Sequence, residues 1–266
     1  MRSFDIFNEQ IGRIEFAKKI THGKILDVTN GDFLSYHSSN LLLNSGATEV
    51  WSYDISENGF NICKRFLNEN KEIVVKSFDN PLKDLQDEYF DYVISSETIQ
   101  HSKDCNVEID LYYKILKQNG KLIISTSNKD APKEIKHVQN DIMEMNEFSK
   151  YEFVSLLSNK FKKIDLFSQR IIEENEIKEN ESFEKIRSKE KFRGTLAQSW
   201  KKLDRSQKLY TNFISKIKYS RIINAKKTVL KKKKEELDQK YIPIKYIEKH
   251  NPLFFILICC KNNHRT

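Results

Sequence analysis

The chain has 266 residues and a mass of 31.5 kDa, enough for one good hydrophobic core and an appendage but too short for two full-sized enzymatic domains. Its four cysteines, Cys63, Cys105, Cys259 and Cys260, show no paired metal-ligand spacing, which argues against a cysteine-held metal and reads as small buried hydrophobes in a reducing compartment. The net charge of +8 hides an asymmetry: residues 1 to 184 carry 23 basic and 32 acidic side chains, residues 185 to 240 carry 19 and 5, and residues 241 to 266 carry 4 and 1.

Met1 to Gln10 alternates polar and apolar residues, which reads as no signal peptide and predicts a cytoplasmic protein. Short apolar runs bounded by turn residues predict strands at Lys24 to Val28, Glu49 to Tyr53, Ile73 to Lys76, Tyr92 to Ser95, Lys121 to Thr126, Lys163 to Phe167 and Leu253 to Cys260. Helical patterns between them favour parallel crossovers and an α/β sheet. The longest apolar run, PLFFILICC, is too short to span a bilayer and suits a central strand. Ile171 to Glu184 is acidic and polar. Trp200 to Leu237 is mostly helical by composition, with apolar residues at three- and four-residue spacings on a Lys/Arg background. Pro243 breaks that pattern ahead of the final strand. The expected organisation is a core over 1–170, a basic helical insertion over 171–245, and a last strand over 246–266 that returns to the core sheet.

The stretch GKILDVTNGDF, Gly23 to Phe33, followed by VWSYDIS, Val50 to Ser56, reads as a buried strand, a turn around Gly31, a helix and a second strand ending in Asp54. A carboxylate at that tip can accept hydrogen bonds from both hydroxyls of a ribose, while the turn lets backbone N–H groups approach a ligand. The turn has one glycine where dinucleotide fingerprints need three, so a pyrophosphate is not expected. Ser95 and Ser96 fall at the carboxyl end of the fourth strand, the edge where open α/β sheets bind ligands. His101 follows one loop later and His137 lies beyond the fifth strand. Either imidazole suits a general base near neutral pH. No metal site is expected.

These motifs resemble the class I S-adenosylmethionine-dependent methyltransferases of the type 11 kind. The likeness spans roughly residues 10 to 170 and a last strand near the C-terminus. KEIVVKSFDN, FDYVISSETIQH and LKQNGKLIISTSN follow in the family's order as a third strand, a fourth strand with its catalytic-face loop, and a helix end, glycine turn and fifth strand. The resemblance implies a Rossmann-like seven-stranded, mostly parallel sheet with helices on both faces and the last strand antiparallel beside the fifth. It also implies S-adenosyl-L-methionine as cofactor, with Asp27 steering the methionine end, Asp79 near the adenine, and Thr29, Gly31, Asp54, Ile55, Ser95 and Ser96 lining the groove. Thr29 and Phe33 stand where the family usually has glycine, which leaves a degenerate, non-catalytic scaffold as an alternative. Within the family, GRIEFAKKITHGKILD and the segment from Lys136 to Gln169, with His137, Phe161 and Gln169, are similar to bacterial methyltransferases of glycan and cell-envelope biosynthesis. That likeness implies a small-molecule or glycan acceptor, a sugar hydroxyl or carboxylate. Methylation of nucleic-acid bases typically uses an Asn/Asp-Pro-Pro-aromatic loop after the fourth strand, where this chain reads SSETIQ, so nucleic acid ranks below glycan despite the basic insertion. That insertion also suits peripheral contact with an anionic membrane, beside a plain solvated cap.

Overall fold

A computed structural model describes residues 2–29, 35–55, 60–61, 64, 73–76, 85–132, 145–172, 241–248 and 252–262. The chain divides into two compact units, Met1–Ile172 with Gln239–Thr266, and Glu173–Asp238. The basic stretch expected to be helical lies outside the described residues, as does the acidic stretch beyond Ile172.

The first unit opens with α1 (Arg2–Lys18), in which Glu9, Arg13 and Ala17 recur at four-residue spacing and form one buried face. There follow β1 (Gly23–Thr29), α2 (Ser35–Leu43), β2 (Ala47–Asp54), β3 (Ile73–Lys76) and β4 (Phe90–Ser96). Next comes α3 (Cys105–Ile115), whose first turn is capped by Asp104 accepting from the backbone N–H groups of Asn106 and Val107. The unit continues with β5 (Leu116–Ser127), α4 (Lys150–Ser158), β6 (Lys163–Ile171), β7 (Ile244–Lys245) and β8 (Pro252–Cys260). The sheet order is β3-β2-β1-β4-β5-β8-β6-β7, parallel from β3 to β5.

All seven expected strands form, and β8 inserts antiparallel between β5 and β6. Its two flanking strands and covered faces account for an apolar run without alternation. The sheet nevertheless has eight strands, because Ile244 and Lys245 pair antiparallel with Ser168 and Phe167 at the edge. Two residues after a proline leave no hydrophobic period to read. A second difference concerns LKQNG: α3 stops at Ile115 and Leu116 is already extended, so β5 begins five residues early. Asn119, rather than the glycine beside it, takes the left-handed conformation, with φ of 62°; asparagine tolerates that region better than most side chains.

On one face, α3 and α4 cover the sheet with Ile109, Tyr112, Ile115, Phe153 and Leu157, joined by Phe161 just beyond α4, all essentially buried in one cluster with the strand residues Val93, Leu122 and Leu257. This core holds the carboxyl ends of β1, β4 and β5 at one level. Among the described residues no helix is long and apolar enough to cross a membrane.

Candidate functional site

From β1 the chain proceeds to β2 and β3 on one side and then crosses to β4 on the other. The strand order therefore reverses between β1 and β4, and the crevice outside their carboxyl ends is where such sheets seat ligands. Thr29 is the last residue of β1 and pairs in register with Asp54, the last of β2. The Thr29 hydroxyl donates to Asp54 Oδ2 at 2.9 Å, and the Ile55 N–H donates to the Thr29 carbonyl at 3.0 Å. Thr29 keeps extended strand geometry and is absent from the left-handed residues, so its side chain carries no backbone strain. Asp27, two residues earlier and hence on the same face as Thr29, accepts from Ser39 Oγ of α2 at 2.8 Å. Both carboxylates belong to residues only 1% exposed. Burying a carboxylate is costly unless hydrogen bonds compensate it, and each is met by a hydroxyl from a neighbouring element.

On the other side of the crevice, β4 places Ser95 level with Val28 and Ser96 level with Ser125. The Ser95 and Thr98 hydroxyls lie 2.5 Å apart, and the Tyr112 hydroxyl beneath them donates to Glu108. Burial, then the adjoining Glu108 carboxylate, pushes the Tyr112 phenol well above its usual range. The Ser95 hydroxyl is thus engaged below the sheet edge. A 3₁₀ turn over Ile99–His101 follows, with His101 half-buried and its N–H bonded to the Thr98 carbonyl. Gln100 is buried. Its side-chain oxygen accepts from Thr126 Oγ1 at 3.2 Å, and its carbonyl accepts from the N–H groups of Met145 and Asn146.

A third group of residues converges on the same edge from α1. Arg13 forms an ion pair with Glu97, donates to Gln169 Oε1 at 2.7 Å, and lies 4.6 Å over the Phe254 ring. Gln169 Nε2 donates to the Glu9 carbonyl at 2.8 Å and to the Tyr241 carbonyl. Arg170 lies 3.5 Å from the Glu9 carboxylate. Glu97 and Arg170 both adopt left-handed backbone, at φ of 54° and 60°. Gln169 and the segment containing Arg13 both resemble the family in sequence, but no local pattern shows that these side chains touch, 156 residues apart. Glu97 and Glu9 carry no such signal. Glu97 stands inside the SSETIQ loop, but its left-handed backbone leaves no trace in composition.

Of the expected site residues, the fold gathers Asp27, Thr29, Asp54, Ile55, Ser95, Ser96 and His101 along one edge of the sheet. Gly31, Asp79 and His137 lie outside the described residues, as does Phe33. No group of three or more His, Cys, Asp or Glu that could hold a metal occurs among the described residues.

Residues 34–124 match the family model described as a methyltransferase domain. That match shows a methyltransferase domain over residues 34–124 of the chain. The matched segment begins after β1 and ends within β5, so it contains Asp54 and the loop after β4 but neither Asp27 nor Thr29. No curated protein matches the methyltransferase significantly in sequence. Its fold is shared with a SAM-dependent methyltransferase from Archaeoglobus fulgidus, at 15% identity and a TM-score of 0.54, covering 97% of this chain and 94% of that one. A Thermotoga maritima SAM-dependent methyltransferase, described as a possible histamine N-methyltransferase, superposes at 12% identity and a TM-score of 0.53, covering 97% and 93%. Phosphoethanolamine N-methyltransferase 2 of Haemonchus contortus, solved with S-adenosyl-L-methionine, superposes at 14% identity and a TM-score of 0.52, covering 97% of this chain and 53% of that one. The donor set of the edge fits S-adenosylmethionine: the buried carboxylates of Asp27, within β1, and Asp54, at the tip of β2, suit an ammonium and paired ribose hydroxyls.

Proposed function

We propose that the methyltransferase acts on a small molecule or glycan, at a sugar hydroxyl or similar group, across the crevice between β1 and β4. The observation that carries this reading is the buried Asp54 carboxylate, aligned by Thr29 at the switch point of the sheet. Asp54 holds the ribose, with Ile55 beside it. Asp27, Thr29 and Gly31 flank the methionine end, Asp79 lies toward the adenine, and the backbone at Ser95 and Ser96 closes the groove. When bound, S-adenosylmethionine supplies a methyl group activated by a positively charged sulfur. The chain's own task is to align the acceptor and manage its proton, for which His101 and His137 are the candidate bases.

The glycan reading is supported by the similarity of the segments before β1 and through β6, and by SSETIQ standing where base methyltransferases carry a proline-rich loop. Residues 185 to 240, with 19 basic and 5 acidic side chains, favour contact with an anionic membrane surface, which would bring a cytoplasmic enzyme to a lipid-linked acceptor. Salt-dependent liposome binding lost on replacing Lys231 to Lys234 with Gln supports that contact; binding that persists in the variant removes it. The test of the main proposal is calorimetry of the purified chain with S-adenosylhomocysteine. Micromolar uptake supports it, and absence of heat or of a thermal shift at millimolar ligand sinks it.

A further inference from the structure

Glu97 occupies an unusual position. It follows Ser96 directly, so it lies at the carboxyl end of the strand flanking β1, on the switch-point crevice. Its backbone is left-handed at φ of 54°, a conformation that costs a side-chain-bearing residue about 1 kcal/mol or more. Two bonds hold it there, from its N–H to the Ser125 carbonyl and to Ser125 Oγ, both at 3.2 Å. The side chain is 15% exposed, and its partner Arg13 is 5% exposed. Arg13 in turn is gripped from two strands, by Gln169 of β6 and by the Phe254 ring of β8.

Stability does not explain this arrangement. An ion pair taken out of water recovers its desolvation cost poorly, and an apolar pair of similar volume serves a core as well or better. Backbone strain adds a further cost, and residues kept in such conformations cluster at functional sites. What the arrangement achieves is a carboxylate fixed in direction just beyond the carboxyl end of β4, with its charge balanced by Arg13.

We infer that Glu97 is the catalytic carboxylate that meets the acceptor, and that Arg13 is the positioning residue that aims it. This rests on the methyltransferase reading above and narrows it in two ways: Glu97, in place of His101 or His137, takes the acceptor's proton, and the acceptor presents a neutral O–H or N–H group, because an ionised acceptor carboxylate would be repelled by Glu97. For a hydroxyl acceptor the balance is simple. The acceptor oxygen gains a bond to the methyl carbon from its own lone pair, the former C–S pair stays on sulfur as a neutral thioether, and the O–H proton passes to the Glu97 carboxylate. An alkylated hydroxyl is a strong acid, so even a carboxylate beside a guanidinium accepts that proton.

The test uses two cofactor analogues on the full chain by calorimetry: S-adenosylhomocysteine, and sinefungin, which carries an amine where the methyl would be. A carboxylate at the transfer point favours sinefungin through one charge-assisted hydrogen bond, expected to give about a tenfold preference. Glu97→Gln should bring the ratio of the two affinities to about one. Arg13→Lys should lower it severalfold while keeping the charge. A structural role alone moves both affinities together and leaves the ratio as it was, which overturns the inference. So does a wild-type ratio near one, a measurement that needs no variant to fold. If wild type takes up neither analogue, the cofactor assignment itself fails. If it takes up both without preference, only the role of Glu97 does.

Discussion

Thr29 and Asp54 end neighbouring strands at the same level, and the 2.9 Å hydrogen bond between their side chains fixes the direction of the Asp54 carboxylate. Removing the carboxylate removes the proposed ribose contact. Asp54→Ala should weaken S-adenosylhomocysteine binding at least tenfold, about 1.4 kcal/mol, and Thr29→Val should weaken it less, because the carboxylate remains but loses its alignment. Calorimetry on both variants decides, and an Asp54→Ala affinity equal to wild type places the ribose elsewhere.

Gly12 tests the seat of Tyr241. A Cβ added there would meet the Tyr241 carbonyl oxygen at 2.0 Å, its carbon at 2.8 Å and Gln169 Nε2 at 3.0 Å. In an open helix Gly→Ala would stabilise by up to about 1 kcal/mol. Here the obstacle is backbone, which cannot swing aside, so Gly12→Ala should instead destabilise by about 1 to 3 kcal/mol. Urea unfolding reads the sign directly, and a more stable variant contradicts the packing of residue 241 on α1.

The start of α4 carries a pH signature. Ser149 and Glu152 form a reciprocal capping box. The Ser149 backbone N–H first, then its hydroxyl, then Lys129 hold the Glu152 carboxyl at about 2, below its ordinary 4.5. A folded-state value that is depressed contributes stability above the unfolded value and loses it as pH falls, so the contribution should disappear between about 4.5 and 2. Melting temperatures from pH 6 to pH 2 should therefore fall less steeply for Glu152→Gln than for wild type. Parallel curves would remove the capping box as the cause.

Cys259 and Cys260 are neighbours on β8 with opposite surroundings. Cys259 is fully buried and burial pushes its thiol up, whereas Cys260 is partly exposed. At pH 8 in the folded protein a thiol reagent followed by peptide mapping should label Cys260, and Cys259 only after unfolding. Equal labelling of the two would mean that β8 does not occupy the middle of the sheet.

Much of the architecture was legible because it depends on local pattern. The runs KILDV and PLFFILICC announce covered strands, VVK announces a short one, and an acid near the end of each of the first two strands marks the ligand-binding edge. The β7 pair escaped notice because two residues have no period. The early start of β5 escaped because an asparagine, not the adjacent glycine, took the left-handed turn. At the candidate site, Asp27, Thr29 and Asp54 were expected from the strand pattern and the family resemblance, and the fold brings them together at the sheet edge. The Glu9, Arg13, Glu97, Gln169 and Arg170 network was not expected, since its members come from α1, the loop after β4, and β6.

By itself, the sequence determined that a parallel sheet forms, where its strands run, and which acids stand at their tips, because burial periodicity and turn chemistry act over a few residues. Only the tertiary structure decided which side chains face each other across that edge. Insertion of β8 between β5 and β6 places Gln169 and Phe254 beside Arg13, and Arg13 then orients Glu97. Such pairing depends on strand order and long-range packing, and the free energy of a buried ion pair exists only once those distant segments have excluded water together.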